Sequence, residues 1–515
     1  MRTLVTPEEM YALEKRYFAG GTPSLVLMRR AADRLAEAFG THFGAFAGKT
    51  IAVACGRGNN GGDGYAFSVL AARAGAHVTL LTACDESTLR GDALTCAQEA
   101  FALNIPCLSA GQISEIARPN VWVDALFGIG LNRPLDDFYA ALIDRINEDH
   151  AAGSRVMAVD APSGLNLTSG RMMGACVAAD VTVTFEYAKT GHYLADGLDQ
   201  CGLIDVRPLE TGLAPDEPIH LVEQRDAIAA LPERRRSIHK GSCGHLLIVA
   251  GSLGMAGAAH YAARMALRMG TGLVTLACPR SIVPVLQTLV PGAMAVPLPE
   301  ENGAISRDAL PVLKDALRGK TAVAVGPGLS RRAAPEIVEA ILTCGLPAVI
   351  DADALNLLAE NAPLKALLKP YHVLTPHPGE AARLIGALSS PIEDAKRLRA
   401  LGATALLKGA SSVIAGESGL TLSASGCGGM GGQRAARPFG RNRRARPDRN
   451  RHDRVRSDRL LAGDAQDAFT AVRQNAPVTS PAYSPSVPRT RSAICRAVGV
   501  PATPPSPVSR RQAGI

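Results

Sequence analysis

The stretch Thr50-Ile-Ala-Val-Ala-Cys-Gly56-Arg-Gly58-Asn59-Asn60-Gly61-Gly62-Asp63-Gly64-Tyr65 runs an apolar segment of strand length into a turn holding five glycines. A helical pattern over residues 65–74 and a second strand, His77-Val-Thr-Leu-Leu-Thr82, follow it. Strand, glycine turn and helix make the phosphate-cradle layout of a βαβ unit, in which backbone N–H groups at a helix start face an anion. Gly56-x-Gly58-x-x-Gly61 matches the dinucleotide fingerprint, and Asp85 stands near the place of the ribose-binding acid. A hydride-transferring dehydrogenase is therefore one reading. The turn also carries Asn59, Asn60 and Asp63, which a plain cradle does not need. A carboxylate at the mouth of a helix repels a pyrophosphate seated there. The side-chain oxygens suit a hard cation, or a polar sugar and amide. A mere tight turn is the bland alternative, and the full GNNGGDG run after a strand weighs against it.

Outward from this stretch the chain alternates strands and helices. Before it, Thr6-Pro-Glu-Glu predicts a capped helix start with Pro first and acids in the first turn, and Ser24–Phe39 repeats apolar residues at helical spacing. After it, strands are predicted at 78–82, 121–124, 156–159 and 181–185, with helices near 88–103 and 137–147. This rhythm predicts a doubly wound α/β domain. Two further strand ends carry oxygen chemistry: Val123-Asp124-Ala-Leu-Phe127-Gly128-Ile-Gly130-Leu-Asn-Arg133-Pro134 and Ala158-Val-Asp160-Ala-Pro162-Ser163-Gly164. The carboxyl ends of strands in an open parallel sheet share one crevice. Asn60, Asp124 and Ser163 can converge there as oxygen ligands, with Asp160 beside them as an acid or base. Each Asp taken alone could equally be a helix cap.

A charged, Pro-containing link covers residues 208–236, and a second α/β series follows. Its strands are predicted at 245–250, 273–277, 321–325, 348–350, 372–374, 405–407 and 412–415. Helices intervene near 258–269, 309–317, 335–342 and 378–385. The glycine turn Gly251-Ser-Leu-Gly254-Met-Ala256-Gly257 again joins a strand to a helix, and glycines there let a phosphate or ligand approach the backbone. A close-packed strand–helix turn would look the same.

Composition bounds the rest. At 515 residues, with 47% hydrophobic and 20% charged residues, the chain suits two or three soluble globular domains. No apolar run is long enough for a membrane span, and the start lacks a signal-peptide core. Eleven cysteines without a CxxC pair indicate neither a zinc site nor a disulfide framework, and a reduced cytoplasm is expected. The net charge of +8 is uneven: 17 Arg against 5 Asp from Arg434 onward give +12 there, which leaves −4 for residues 1–433. The Arg/Pro-rich segment 433–515 is expected to be a disordered or aberrant tail, in the manner of an out-of-frame translation of GC-rich DNA. Nucleic-acid binding through those arginines is the alternative from a different functional class.

The motifs GRGNNGGDG, VDALFGIGLNRP and VDAPSGLN resemble the epimerase domain of the bifunctional NAD(P)H-hydrate repair enzymes, over roughly residues 1–220. The resemblance implies a Rossmann-like domain, residues 1–222, that interconverts the R and S hydrates of NADH and NADPH (NADHX and NADPHX). It implies substrate contacts from Asn59, Asn60, Gly61, Gly62 and Asp63, and from Gly128, Ile129, Gly130, Leu131, Asn132, Arg133 and Pro134. It further implies a potassium ion (K+) on Asn60, Asp124 and Ser163, and Asp160 at the substrate as the catalytic acid/base. Epimerising a carbinolamine-like carbon needs a proton moved at a hydroxyl or ring nitrogen, which one placed carboxylate can supply.

The second series resembles the dehydratase domain of the same family, a ribokinase-like fold, over residues 223–432. By that resemblance Ala256, Gly328 and His377, Pro378, Gly379, Glu380, Ala381, Ala382 and Arg383 line the hydrate site. Lys408, Gly409, Ala410, Ser411 and Ser412 would touch the adenine nucleotide, with ADP and Mg2+ as the bacterial cosubstrate. Lys408 could be a point-charge phosphate binder or an ordinary surface lysine. The family continues into a GxGD loop at a helix start, whose N–H groups form an anion hole and whose Asp acts at the substrate hydroxyl. Here Ser425-Gly-Cys-Gly-Gly-Met-Gly-Gly432 runs into Gln433-Arg434, and no GxGD follows. Weak or absent dehydratase activity and a poorly stable second domain are the expectation. A ribokinase-type small-molecule kinase is a further alternative, and lacks the same loop. The expected partners are NADHX, NADPHX and ADP, with no membrane and no nucleic acid. A homo-oligomer is expected.

Overall fold

The computed structural model describes residues 1–231 and 238–424. The glycine run from Ser425, the tail and part of the 208–236 link lie outside these residues.

The first part of the chain forms β1 (Arg2–Val5), α1 (Pro7–Ala19), α2 (Ser24–Phe43), β2 (Thr50–Cys55), α3 (Asn59–Arg73), β3 (His77–Thr82), α4 (Gly91–Ala102), β4 (Cys107–Ser109), β5 (Val121–Ala125), α5 (Asp137–Ala151), β6 (Arg155–Val159), β7 (Val181–Phe185), β8 (Ala188–Lys189), α6 (Gly197–Gln200) and β9 (Leu203–Arg207). Seven strands make one sheet in the order β4-β3-β2-β5-β6-β7-β9, and every pairing in it is parallel. The order reverses between β2 and β5, so the topological switch point lies beside the glycine motif. Alternation along β2 explains the two covered faces. Ile51, Val53 and Cys55 join a core with α2, α3 and α4, whereas Ala52 and Ala54 join a core with α5. Thr6 caps α1 as predicted, its hydroxyl accepting the Glu9 N–H at 3.2 Å.

The turn in the glycine motif is shorter than predicted, covering only Gly56–Gly58. Helix α3 begins at Asn59, with Gly58 as its N-cap, and Asn60 to Gly64 are already helical. Low helix propensity of Gly argues for a turn here, and close packing overrides it. A Cβ on Gly61 would stand 1.9 Å from the Gly56 carbonyl oxygen, and one on Gly56 2.0 Å from that of Leu126. One on Gly64 would meet Ala125 Cβ at 2.6 Å. The glycines draw the helix start down onto β2 and β5.

The chain continues with β10 (Ile219–Leu221), α7 (Gln224–Ala230), β11 (His245–Val249), α8 (Ala256–Arg268), β12 (Leu273–Pro279), α9 (Val283–Leu289), β13 (Met294–Leu298), β14 (Glu300–Glu301), β15 (Ala304–Ile305), α10 (Leu310–Ala316), β16 (Ala322–Val325), α11 (Pro335–Leu342), β17 (Ala348–Ile350), α12 (Ala352–Glu360), α13 (Ala362–Lys365), β18 (His372–Leu374), α14 (Pro378–Ile385), α15 (Pro391–Arg399), β19 (Thr404–Leu407), β20 (Ser412–Gly416) and β21 (Gly419–Ser423). The second sheet runs β13-β12-β11-β16-β17-β18-β19-β20-β21-β10-β1-β8. It is parallel from β13 to β19 and antiparallel through β19-β20-β21. Helices α8 and α9 pack on one face, and α10, α11, α12, α14 and α15 on the other. Both sheets are thus doubly wound α/β layers.

Three strands from before residue 222 belong to this second sheet. β10 pairs in parallel with β21 and antiparallel with β1, and β1 pairs in parallel with β8. Leu4, Ala188 and Ile219 accordingly sit in the second sheet's core. No helix among the described residues is long and apolar enough to cross a membrane.

Candidate functional site

A cavity of about 410 Å3 opens at the carboxyl ends of β2, β5 and β6, at the switch point. Asn59, Asn60 and Asp63 from the start of α3 line it, as do Gly128, Ile129, Gly130, Leu131, Asn132 and Arg133 from the loop after β5. Asp160 after β6 and Lys189 of β8 complete the floor. Gly61, Gly62 and Pro134 are not among the lining residues. Gly61 faces Gly56, and Gly62 faces the Met28 side chain.

Asp160 is clamped from three directions. Lys189 Nζ donates to its Oδ1 at 2.7 Å, and Thr184 Oγ1 donates to the same oxygen at 2.8 Å. His192 Nδ1 accepts the Lys189 N–H at 3.1 Å, which leaves Nε2–H to donate to the Asp160 carbonyl at 2.9 Å. Asp160 takes a left-handed backbone, φ +62°, which costs energy in a non-glycine residue and persists because these partners hold it. Burial is the largest influence on the Asp160 carboxyl and pushes it up, but the Lys189 ammonium, His192 and the Thr184 hydrogen bond together overcome it and the net shift is downward. His192 is pushed down to about 4, by burial first and then by Lys189. The site therefore holds a fixed carboxylate, a fixed ammonium and a neutral imidazole.

Asp124 and Ser163 meet directly. Ser163 Oγ donates to Asp124 Oδ1 at 2.5 Å, and Ser163 N–H to Oδ2 at 2.7 Å. The Phe127 N–H donates to Ser163 Oγ at 2.9 Å. Burial raises the Asp124 carboxyl to about 6, against the Ser163 hydrogen bonds. Asn60 stands across the loop, its Oδ1 about where a Gly128 Cβ would touch, at 3.0 Å. Its buried Nδ2 has no hydrogen-bond partner. The three residues predicted as ligands thus supply oxygen donors and one carboxylate, a set that suits a hard cation of low charge. Asp85 caps a short 3-10 turn through the Ser87 N–H at 2.8 Å and does not line the cavity.

Lys189 and Glu14 are among the lining groups that sequence reasoning missed, together with Tyr11, Arg57, Asp92 and Tyr139. Lys189 lies in a two-residue strand, too short for any periodic signal, although it closely follows the strand Val181–Phe185. Glu14 sits on α1, one turn after Met10, which also lines the cavity. The buried Met10 and Leu13 seat that helix on Val5 and Ile129. Asp63 is pushed well above the usual carboxylate range, by burial first and then by Asp160 and Glu14.

In the second half, the predicted residues also gather at the carboxyl ends of parallel strands. Gly328, φ +63°, follows β16, and a Cβ there would stand 2.8 Å from the Met255 carbonyl, at the start of α8 where Ala256 lies. His377 caps α14, its Nδ1 accepting the Gly379 N–H at 3.0 Å while Glu380 Oε2 accepts the His377 N–H at 2.9 Å. Arg383 donates to Asn356 Oδ1 at 2.8 Å. Pro378, Ala381 and Ala382 lie along the same helix. Lys408 is neither a free surface lysine nor an unpaired cation: its Nζ lies 2.8 Å from Asp351 Oδ1. Gly409, Ala410 and Ser411 bridge β19 to Ser412, the first residue of β20. Ser411 Oγ donates to the Tyr193 carbonyl, next to His192.

Comparison with known proteins agrees with this architecture. The family model described as the YjeF-related protein N-terminus matches residues 24–191, and that described as NAD(P)H-hydrate dehydratase matches residues 246–432. A bifunctional NAD(P)H-hydrate repair enzyme of Moorella thermoacetica is 37% identical over 441 residues, covering 81% of this chain and 82% of that relative. One from Coxiella burnetii is 36% identical over 400 residues, covering 76% and 78%. A solved ADP/ATP-dependent NAD(P)H-hydrate dehydratase from Bacillus subtilis, co-crystallised with ATP and Mg2+, is 30% identical; it covers 40% of this chain and 73% of its own, with a TM-score of 0.35.

Proposed function

This chain belongs to the family of bifunctional NAD(P)H-hydrate repair enzymes, and from that membership we propose that its first half, residues 1–222, epimerises (R)- and (S)-NAD(P)HX at the cavity floored by Asp160. The observation that carries the reading is the Lys189–Asp160 pair, which keeps an ionised carboxylate inside a cavity at a dinucleotide-type switch point. Asp160 takes the proton of the substrate's C6 hydroxyl. Asn59, Asn60, Asp63 and residues 128–134 orient the hydrate, whose amide and sugar hydroxyls match their polar side chains. No hydride leaves the ring, so no redox partner is required.

Potassium on Asn60, Asp124 and Ser163 is part of the proposal. Its support is the all-oxygen donor set that the three residues offer, in which the buried Asp124 carboxylate, bonded to Ser163, is otherwise pushed toward protonation. The ion would supply fixed positive charge beside the substrate. The test is chromatography of (R)-NADHX incubated with the full chain. Interconversion no faster than the uncatalysed rate sinks the epimerase reading.

The second half, residues 223–432, is proposed to be an ADP- and Mg2+-dependent dehydratase fold of impaired activity. The hydrate would lie by Ala256, Gly328 and residues 377–383, and the nucleotide by residues 408–412. Support for impairment comes from the sequence, in which the family's GxGD loop is replaced by Gln433-Arg434 and the dehydratase match stops at residue 432. Loss of anion-hole donors costs about 10²–10³ in rate. Normal ADP-dependent conversion of (S)-NADHX to NADH by the full chain would refute impairment. A homo-oligomer in the cytoplasm remains the expectation, and the exposed Tyr261 and Met265 of α8, with Met269 at its C-cap, support self-association.

A further inference from the structure

The epimerase cavity contains, besides Asp63 and Asp160, a carboxyl group on α1 that no motif accounts for. Glu14 projects from α1 into the same cavity as Asp160, Lys189 and Asp63. It is half-buried, and among the described residues its carboxyl makes no hydrogen bond or ion pair. A carboxylate drawn out of water without a partner is unfavourable, and such groups cluster where a ligand completes them. Its helix is anchored rather than loose. Met10 and Leu13 are buried against Val5, Ile129 and Tyr187, and Thr6 caps the start. The matched family segment begins at residue 24, after this helix.

We propose that Glu14 is the second proton-transfer group of the epimerase, working opposite Asp160 across the hydrated ring. This rests on the epimerase reading above. In the forward step Asp160 removes the proton of the C6 hydroxyl, and the oxygen lone pair forms the C=O bond. The C6–N1 bond breaks with its electrons moving to N1, and Glu14 gives its proton to that nitrogen. The product is a ring-opened aldehyde. Rotation about the C5–C6 bond presents the other carbonyl face. On closure N1 attacks C6, Glu14 recovers its proton from N1, and Asp160 returns its proton to the oxygen. Atoms and charge balance, and no oxidant or reductant enters.

The electrostatics separate the two acids, as an acid–base pair requires. Lys189 holds Asp160 ionised. Glu14 is pushed up by burial, against Lys189 and with Asp160. Tyr11 on the same helix, Asp63 on α3, Asp160 after β6 and Lys189 on β8 are the charged or titratable groups that face it.

The test is the epimerisation rate of (R)-NADHX as a function of pH for the full chain, Glu14→Gln and Glu14→Asp, each with its unfolding temperature. Glu14→Gln is expected to lower kcat by ~10²-fold or more, with KM within about threefold, and to erase the alkaline limb of the pH profile. Glu14→Asp keeps the limb and part of the rate. An unchanged kcat and pH profile in Glu14→Gln overturns the assignment while leaving the epimerase reading intact. If Glu14→Gln does not fold, Glu14→Asp decides, and a rate and profile equal to the parent's overturn the assignment. No turnover by the unsubstituted chain overturns the epimerase reading and this assignment together.

Discussion

Lys189 Nζ lies 2.7 Å from Asp160 Oδ1, and the two residues come from neighbouring strand ends that belong to different sheets. Lys189 is 2% exposed, and its other hydrogen bonds go to Thr184 Oγ1 and the Phe185 carbonyl. Breaking one side of such a buried pair costs about 3–5 kcal/mol. Lys189→Met is therefore expected to lose that much in urea unfolding, and to lower epimerisation by about 10²-fold as Asp160 moves toward its protonated form. A stability equal to the parent's would show that the pair does not hold the site.

The same pair sets an acid limit on stability. The folded Asp160 titrates below its unfolded value, so its contribution is present above pH ~4 and is lost as pH falls through the folded value. Asp160→Asn lacks that contribution at every pH. The gap in urea midpoint between parent and Asp160→Asn is expected to narrow steadily below pH ~4. A constant gap contradicts the assignment of charge.

Asp124 titrates in the opposite sense. Its folded value, raised to about 6, lies above the unfolded one. Its contribution is full below pH ~4 and is lost as pH rises through the folded value, by about 3 kcal/mol in all. A cation on Asp124 offsets that loss. Potassium is expected to raise the unfolding temperature more at pH 7.5 than at pH 5, relative to tetramethylammonium at equal ionic strength. Asp124→Asn should abolish the difference. Equal increments at both pH values would argue against the site.

Gly61 and Gly58 separate packing from capping. Gly61→Ala places a methyl group 1.9 Å from the Gly56 carbonyl, so a loss of about 3 kcal/mol or more is expected. Gly58→Ala meets open space and costs only the cap preference, about 1 kcal/mol. Thermal unfolding of both variants checks the ranking, and reversal of the order would place the glycine requirement elsewhere.

Every lining group of the switch-point cavity lies between Met10 and Leu209. Deleting residues 434–515 is expected to leave the epimerisation kcat within about twofold, well under the ~10²-fold loss expected for an acid–base group. A large loss would give the tail a role in this reaction.

The candidate site was partly legible in sequence because Asn60, Asp124, Asp160 and Ser163 lie at or just after strong apolar strands: Asn60 and Asp160 line the cavity, and Asp124 and Ser163 bond one another without lining it. A parallel sheet brings such ends together whatever their spacing in the chain. Lys189 carried no such flag, since a two-residue strand has no period to read. Glu14 lies on an amphipathic helix where a charged residue reads as solvent-facing. The helical start at Asn59 was hidden for another reason: glycine's low propensity pointed to a turn, and contacts with Gly56, Leu126 and Ala125 decided otherwise. The strand β10 was missed because it lies in the segment read as a link, and β1 because its four residues precede the predicted helix start at Thr6 and are too few to show a period.

The pairing of Thr3 with His220 sets an order of events during synthesis. Arg2–Val5 leave the ribosome first, yet their antiparallel neighbour emerges more than two hundred residues later. Lys189, whose strand pairs with Val5, then docks against an edge completed only when Ile219–Leu221 are available. Such long-range closure is slow and leaves a bare strand edge exposed while translation proceeds. The strand segment that carries Lys189 is joined to the rest of its sheet through the pairing of Ile219–Leu221 with Gly419–Ser423, so it is complete only once those last strands have also emerged.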